Sequence, residues 1–436
     1  MDDLLIDSAD ERLVLANLGE AIPQAKLRYS ETDPYLGLTR LVLDLSEAQE
    51  GLQADAELVA EAAAAFPDGP VDGAQLAVTA LRRWGARLTV PAPMVGFGGA
   101  DVDSEPHVKG LTAEPVGGEL VTGLPHVKGS TPFPEQTPVT GPWLAPGQPT
   151  GPRIGVADAR PLDHPALDGR VSGDVQLSSG PHATWLPGHA TFVTGLILKR
   201  APDAQVVVRT VLEPRALYHS VPQNSVWDVA RRLVRFVDDD VEVVNMSFAT
   251  WTSTPPLPLA RAVQRLHAAG IVLVAAGGNV RDDVDESMAP KKPYPAAFED
   301  VTAVGSAAIP SNSPADDQPL VTSVDGDWLD LVAPGDDVTG PFLIGPVLPQ
   351  PLFRADDVPL TEEEAKAETR SALLAAAVEF DGFAKWTGTS FAAAAVTGEI
   401  ARLMSETGLS AHAALEVLRS TATGEIRKYT PGVATP

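Results

Sequence analysis

Gly388-Thr389-Ser390 followed by FAAAAVTGEIARLM (391–404) decides how the rest of the chain is read. A glycine-led turn runs straight into an apolar helix, so Ser390 stands at the point where first-turn N–H groups have no partner within the helix. Those amides and the positive end of the helix dipole suit a developing negative charge. Ala392 through Ala395, Val396 and Gly398 are small enough for close packing, which would hold such a serine in place. The tripeptide alone also fits an ordinary turn with an N-cap. Three further segments supply what a nucleophilic serine requires.

In GHATFVTGLILKR (188–200), His189 opens an apolar run that reads as a helix, followed by a turn at Ala201-Pro202-Asp203 and a strand. In PRIGVADARPLDHPAL (152–167), Ile154 to Ala157 form a short buried strand and Asp158 is the first polar side chain at its end. Strand ends supply the active sites of open α/β sheets. In GIVLVAAGGNV (270–280), a third apolar strand stops at Ala276-Gly277-Gly278 and delivers Asn279, an amide able to donate a hydrogen bond. Glycines there would let a substrate backbone come close. Acyl transfer by serine needs a base in reach, a carboxylate to fix the base's tautomer, and donors aimed at the oxyanion. Ser390, His189, Asp158 and Asn279 cover these roles.

With these segments the chain resembles the subtilisin-like serine peptidases, whose order Asp, His, Ser differs from that of the chymotrypsin and α/β-hydrolase types. The resemblance runs from about Pro152 to about Thr423. It includes the His-Pro-x-Leu after the Asp segment and APDAQVVVRTVL after the His segment. YPAAFEDVTAVGSA and WLDLVAPGDDV are similar to the two strand segments that precede the serine loop. VEVVNMSFATW (241–251) is similar to the strand whose edge pairs with extended substrate. Ser247, Phe248 and Ala249, with Ala276, Gly277 and Gly278, are therefore the substrate-binding candidates. The resemblance implies an α/β fold: a mostly parallel sheet flanked by helices, hydrolysing peptide bonds through an acyl-enzyme. It implies no obligatory cofactor.

The chain departs from that pattern in places. Ala159-Arg160-Pro161 replaces the usual Thr-Gly after Asp158, and Ala190 and Phe192 stand where glycine and a second histidine are common. Ala394-Ala395 replaces Pro-His, which should straighten the serine helix because proline removes a backbone donor. Ala249 and Thr250 replace glycines that often line the cleft, which suggests a narrow, selective groove. Between Gly335 and Gly388 the chain is longer than usual: GPFLIGPVLPQPLF (340–353) precedes a helix expected from Thr361, with an insertion at about 340–384. Thr361-Glu362-Glu363-Glu364 is a capping-box pattern. The altered surroundings of Asp158 keep open two alternatives to an active protease. One is a silent binding scaffold, the other an enzyme latent until a partner engages its N-terminal region.

At 436 residues the chain exceeds one ordinary core, and 44% hydrophobic residues are globular in character. Residues 1–95 read as an α+β accessory domain, a propeptide or a regulatory unit. Expected there are a helix near Asp10–Ala21, a strand in LTRLVLDL, helices in AELVAEAAAAF and GAQLAVTALRRWGA, and a strand in RLTVPAP. Residues 96–150, rich in Pro, Gly and Thr and carrying PHVKG at 106–110 and 125–129, read as a linker, with 151–436 as the peptidase domain. Cysteine is absent, so disulfides and thiolate metal sites are excluded. The start MDDLLIDSADERL lacks the pattern of a secretory signal, and no apolar run is long enough for a membrane span, which leads to a cytoplasmic expectation. A net charge of −26 opposes nucleic acid and anionic membranes as partners, leaving protein or peptide substrates and a regulatory protein at the N-terminal domain.

The remaining candidates weigh less. Asp282, Asp283, Asp285 and Glu286 form the one loop suited to calcium, but their spacing is not that of an EF-hand and a solvated loop is favoured. His107 and His126 lack carboxylate or thiolate neighbours for a metal. GFGGA (96–100) lacks the flanking strand and helix of a nucleotide loop. His164 reads as structural.

Overall fold

The computed structural model describes residues 2–67, 70–88, 113–115, 133–145, 149–175, 182, 185–213, 225–279, 291–307, 323–348, 367, 371, 375–420 and 426–429. The chain divides into two compact units, 1–118 with 286–290, and 119–285 with 291–436.

The N-terminal unit is a four-stranded antiparallel sheet with helices. Strands β1 (Asp2–Asp7), β2 (Lys26–Asp33), β3 (Leu38–Asp44) and β4 (Ala113–Pro115) lie in the order β2-β3-β1-β4. Leu4, Ile6, Leu41 and Leu43 join Leu58, Val78 and Leu81 of the helices in one core. The α+β reading holds, with four differences. The expected helix at 10–21 is broken at Asn17 into Glu11–Ala16 and Leu18–Ala21. β1 and β2 carry no sequence signal that was read as strand. Arg87 and Leu88 continue the helix Gly73–Leu88 instead of starting a strand. β4 falls inside the segment read as linker and pairs with β1.

The larger unit is built on eight strands in the order β17-β14-β13-β11-β9-β6-β8-β7. These are β6 (Arg153–Asp158), β7 (Val171–Gly173), β8 (Gln205–Thr210), β9 (Val243–Met246), β11 (Val272–Ala276), β13 (Thr302–Ala307), β14 (Leu331–Pro334) and β17 (Arg427–Lys428). All neighbours pair in parallel except β14 with β17. β9, β11, β13 and β14 are buried at every position, as strands covered on both faces by helices must be. Each fully buried Val, Leu or Ile there contributes about 1.5–3 kcal/mol of transfer free energy.

Two buried helices hold His189 and Ser390. The histidine helix spans Leu186–Arg200 and the serine helix Thr389–Thr407, the latter unbroken where the Pro-His pair is missing. It ends at Gly408, in the left-handed region at φ +70°, whose N–H returns to the Met404 carbonyl. A two-stranded ribbon joins β10 (Thr250–Thr252) to β12 (Lys292–Tyr294).

The insertion is the largest departure from expectation. Its two ends form a long hairpin, β15 (Val338–Val347) and β16 (Val378–Trp386), with β5 (Glu135–Gln136) added to the free side of β16. The Pro-rich stretch is thus an edge strand in its first half, where Pro341 and Pro346 are tolerated. The capping box at Thr361 lies outside the described residues, as do both PHVKG copies, GFGGA and the acidic loop 282–286. Along β16, Phe380, Gly382, Ala384 and Trp386 are the buried alternate positions. Phe380 and Trp386 meet Phe342 of β15 at ring distances of 4.7 and 5.6 Å.

Candidate active site

Asp158 terminates β6, and its carboxylate is fully buried. One oxygen accepts the Ala159 N–H at 2.7 Å. His189, in the first turn of its helix and fully buried, places Nδ1 at 2.9 and 3.1 Å from the two Asp158 oxygens. A carboxylate can only accept, so Nδ1 is the nitrogen that carries a proton towards Asp158. Nε2 is buried and has no hydrogen-bond partner among the described residues.

Aromatic rings enclose the imidazole. Trp386 stands perpendicular to it at 5.7 Å, Phe391 is tilted at 5.8 Å, and Trp185 lies at 6.5 Å. Phe192, at the position of the missing second histidine, packs on Phe391 at 4.5 Å and on Trp386 at 5.8 Å. The hairpin therefore supplies one wall of the histidine's enclosure. Sequence reasoning missed this wall, although the alternation in EFDGFAKW carried its signal.

Phe391 directly follows Ser390, which brings the serine to the same place. Ser390 is 3% exposed, and its hydroxyl donates to the Ser247 carbonyl at 3.4 Å rather than to His189. Its own carbonyl accepts from the Ser247 hydroxyl at 3.0 Å. That hydroxyl accepts from Asn245 Nδ2 at 2.8 Å, and Asn245 Oδ1 accepts from the Thr397 hydroxyl at 3.0 Å. A buried polar chain from β9 thus ties both the first turn and the middle of the helix that carries Ser390. An asparagine in the apolar run VVNM was the available clue to it.

Asn279, beyond β11, has Oδ1 accepting from both the backbone N–H and the hydroxyl of Thr389, each at 3.0 Å. A backbone N–H only donates, so this atom must be the oxygen, and Nδ2 is the group left to donate. The amide is oriented by the residue beside Ser390.

The six substrate-binding candidates, Ser247, Phe248, Ala249, Ala276, Gly277 and Gly278, are all buried. Ser247 turns its side chain inward to Ser390. The glycines answer to the protein's own packing: a Cβ on Gly277 would lie 2.3 Å from Leu329 Cδ2, and Gly278 at φ +105° abuts Trp251. His164 N-caps the short turn Pro165–Leu167 and packs against Phe383 of β16 at 5.5 Å. Burial drives its pKa down to about 4. No cluster of three or more His, Cys, Asp or Glu suited to a metal occurs among the described residues, and no helix there is long and apolar enough to cross a membrane.

A model of the subtilase family matches residues 150–432. Fervidolysin from Fervidobacterium pennivorans, a keratinolytic enzyme related to subtilisin, is similar in structure with a TM-score of 0.51 and 16% identity, over 96% of this chain and 56% of that one. The epidermin leader peptide processing serine protease of Staphylococcus aureus gives a TM-score of 0.51 and 13% identity, over 95% and 92%. No curated protein matches the chain. At these identities the two structures speak for the fold. The family match spans well over half of the sequence and coincides with the unit that holds Asp158, His189 and Ser390, so the chain belongs to the subtilase family and is a subtilisin-like serine endopeptidase.

Proposed function

We propose that Ser390, His189 and Asp158 act as the catalytic triad and that Asn279 Nδ2 with the Ser390 backbone N–H stabilises the oxyanion. The observation that carries this reading is the Asp158–His189 pair, which leaves a buried, unpartnered Nε2 beside the residue following Ser390. Ser390 Oγ leaves the Ser247 carbonyl and gives its proton to Nε2 while it attacks the scissile carbonyl carbon. The carbonyl oxygen takes the negative charge and Asn279 donates to it. The tetrahedral adduct collapses as the C–N bond breaks, and the amine leaves with the proton from Nε2. Water then gives a proton to Nε2 as it attacks the acyl carbon, and the adduct collapses as the acyl–Oγ bond breaks and Nε2 returns its proton to Ser390 Oγ, releasing the acid.

A second reading concerns regulation. The buried Ser390, its hydroxyl bonded to Ser247 rather than to His189, supports a resting form that a peptide or partner must open. Such an enzyme suits processing of selected substrates over bulk degradation. A fluorophosphonate probe tests both readings, since it reacts only with an activated serine. Labelling of wild type and not of Ser390→Ala is expected. Folded protein that is never labelled would overturn the triad assignment.

A further inference from the structure

Beside Ser390 and Asn279 two neighbouring strands end, and one aromatic side chain reaches from the first to the second. β9 and β11 pair in parallel, and the chain leaves them at Ser247 and Gly277. Ligands of open α/β sheets bind outside such carboxyl ends of the strands. Ser247 stands on one side of this crevice, its hydroxyl and its carbonyl both hydrogen-bonded to Ser390, and Gly278-Asn279 stands on the other.

Trp251 bridges the two sides. It lies four residues after Ser247, on β10, directly opposite Pro293 of β12, with Thr250–Tyr294 and Thr252–Lys292 as the flanking pairs. A Cβ placed on Gly278 would meet Trp251 Cζ2 at 2.8 Å, Cη2 at 3.1 Å and Pro293 Cγ at 3.4 Å. The benzene edge of the indole therefore lies against the backbone of the residue that precedes Asn279. Glycine is required at 278 both for that approach and for its φ of +105°. The segments that Trp251 joins are buried at Ser247, Phe248, Ala249 and Ala276, whereas Trp251 itself is half-buried and within reach of a substrate.

A scissile carbonyl has to place its oxygen about 3 Å from Asn279 Nδ2 and the Ser390 N–H. The side chain preceding the scissile bond hangs from the carbon next to that carbonyl, which brings it to the crevice between Ser247 and Gly278. We infer that Trp251 is the specificity-determining residue of this peptidase: its indole occupies the room beside the oxyanion donors and limits the residue preceding the scissile bond to glycine, alanine or serine. The inference deepens the peptidase reading and rests on it. Ala249 and Thr250 pointed to a narrow groove, and the side chain that narrows it is Trp251. Strand pairing holds Trp251 in place and its ring edge meets backbone, so the crevice does not open for a second large side chain.

The test measures kcat/KM of the full chain on fluorogenic peptides that differ only in the residue preceding the scissile bond: alanine, leucine or phenylalanine. Wild type should favour alanine over phenylalanine by on the order of 100-fold. Trp251→Ala should bring that ratio below about ten-fold, with leucine gaining as well. Trp251→Leu, which keeps an apolar side chain on the strand, should give an intermediate value. Each ratio is taken within one variant, so the amount of folded protein cancels. A ratio near one in wild type, or a wild-type ratio that survives both substitutions, would overturn the inference. So would a preference for phenylalanine that Trp251→Ala removes, since the ring would then be a stacking platform for the substrate. Reaction with a fluorophosphonate tells the two readings apart. Labelled protein that cleaves none of the peptides, alanine included, contradicts the role given to Trp251, whereas folded protein that is never labelled contradicts the peptidase reading itself.

Discussion

Replacing Gly188 by alanine should uncouple activity from stability. The added Cβ would lie 2.2 Å from Phe342 Cε2, more than 1 Å short of the ~3.5 Å of an ordinary carbon contact, and 2.7 Å from two further ring atoms. The ring cannot retreat, because Phe342 is fully buried between Phe380 and Trp386. Overpacking of this kind costs about 1–3 kcal/mol, and the better helix propensity of alanine returns about 1 kcal/mol. The net loss of stability is therefore roughly 0–2 kcal/mol, within reach of thermal unfolding measurements on a folded protein. His189 follows Gly188 directly, so the clash moves the base. A displacement of about 1 Å costs on the order of 100-fold in turnover. Cleavage of a fluorogenic peptide together with calorimetry separates the two effects, and Gly188→Ala/Phe342→Leu should recover part of the rate, since the second change removes the ring atoms that clash. A Gly188→Ala enzyme with wild-type kcat/KM would refute the idea that the hairpin sets the position of the histidine.

Asn279→Ala should lower kcat by about 100- to 1,000-fold with little change in KM, because the lost donor acts on the oxyanion and not on the ground state. Asn245→Ala should destabilise the fold by about 1–3 kcal/mol in denaturant unfolding, since it leaves the buried Thr397 hydroxyl without its acceptor and takes one of two hydrogen bonds from the Ser247 hydroxyl. His164 makes stability depend on pH: its folded pKa near 4 lies below the unfolded value of 6.5, so the unfolded chain binds more protons in between. Stability is full above about pH 6.5 and falls towards pH 4, by about 3 kcal/mol at most, with His182 shifted in the same direction by burial. His164→Asn, which keeps a capping side chain, should flatten that part of the curve.

Much of the larger unit was legible because its strands are buried on both faces and read as unbroken apolar runs ending in a polar residue. Asp158 and Asn279 were found this way, and the apolar helices after His189 and Ser390 were equally plain. The hairpin was not, since Pro341, Pro346, Gly340 and Gly345 are turn signals in isolation and are accommodated only because β15 is an edge strand. β2 was hidden for another reason: its residues are mostly exposed, so KLRYSETD shows no apolar alternation. β4 owes its state to pairing with β1, more than a hundred residues earlier, a partner that no local pattern announces.

The stretch 133–145, low in local structure, is fastened at several points. Glu135 and Gln136 extend the hairpin sheet, Phe133 meets Phe380 edge-on at 5.8 Å, and Trp143 gives its indole N–H to the Gly195 carbonyl. Lys199 returns a hydrogen bond to the Trp143 carbonyl and sits over its indole at 4.7 Å. Gly195 and Lys199 belong to the helix Leu186–Arg200, so the strap grips the element that carries His189. A shortened protein begun at residue 151 would therefore be missing a brace of its own catalytic scaffold, and the sensible point of truncation lies ahead of Phe133.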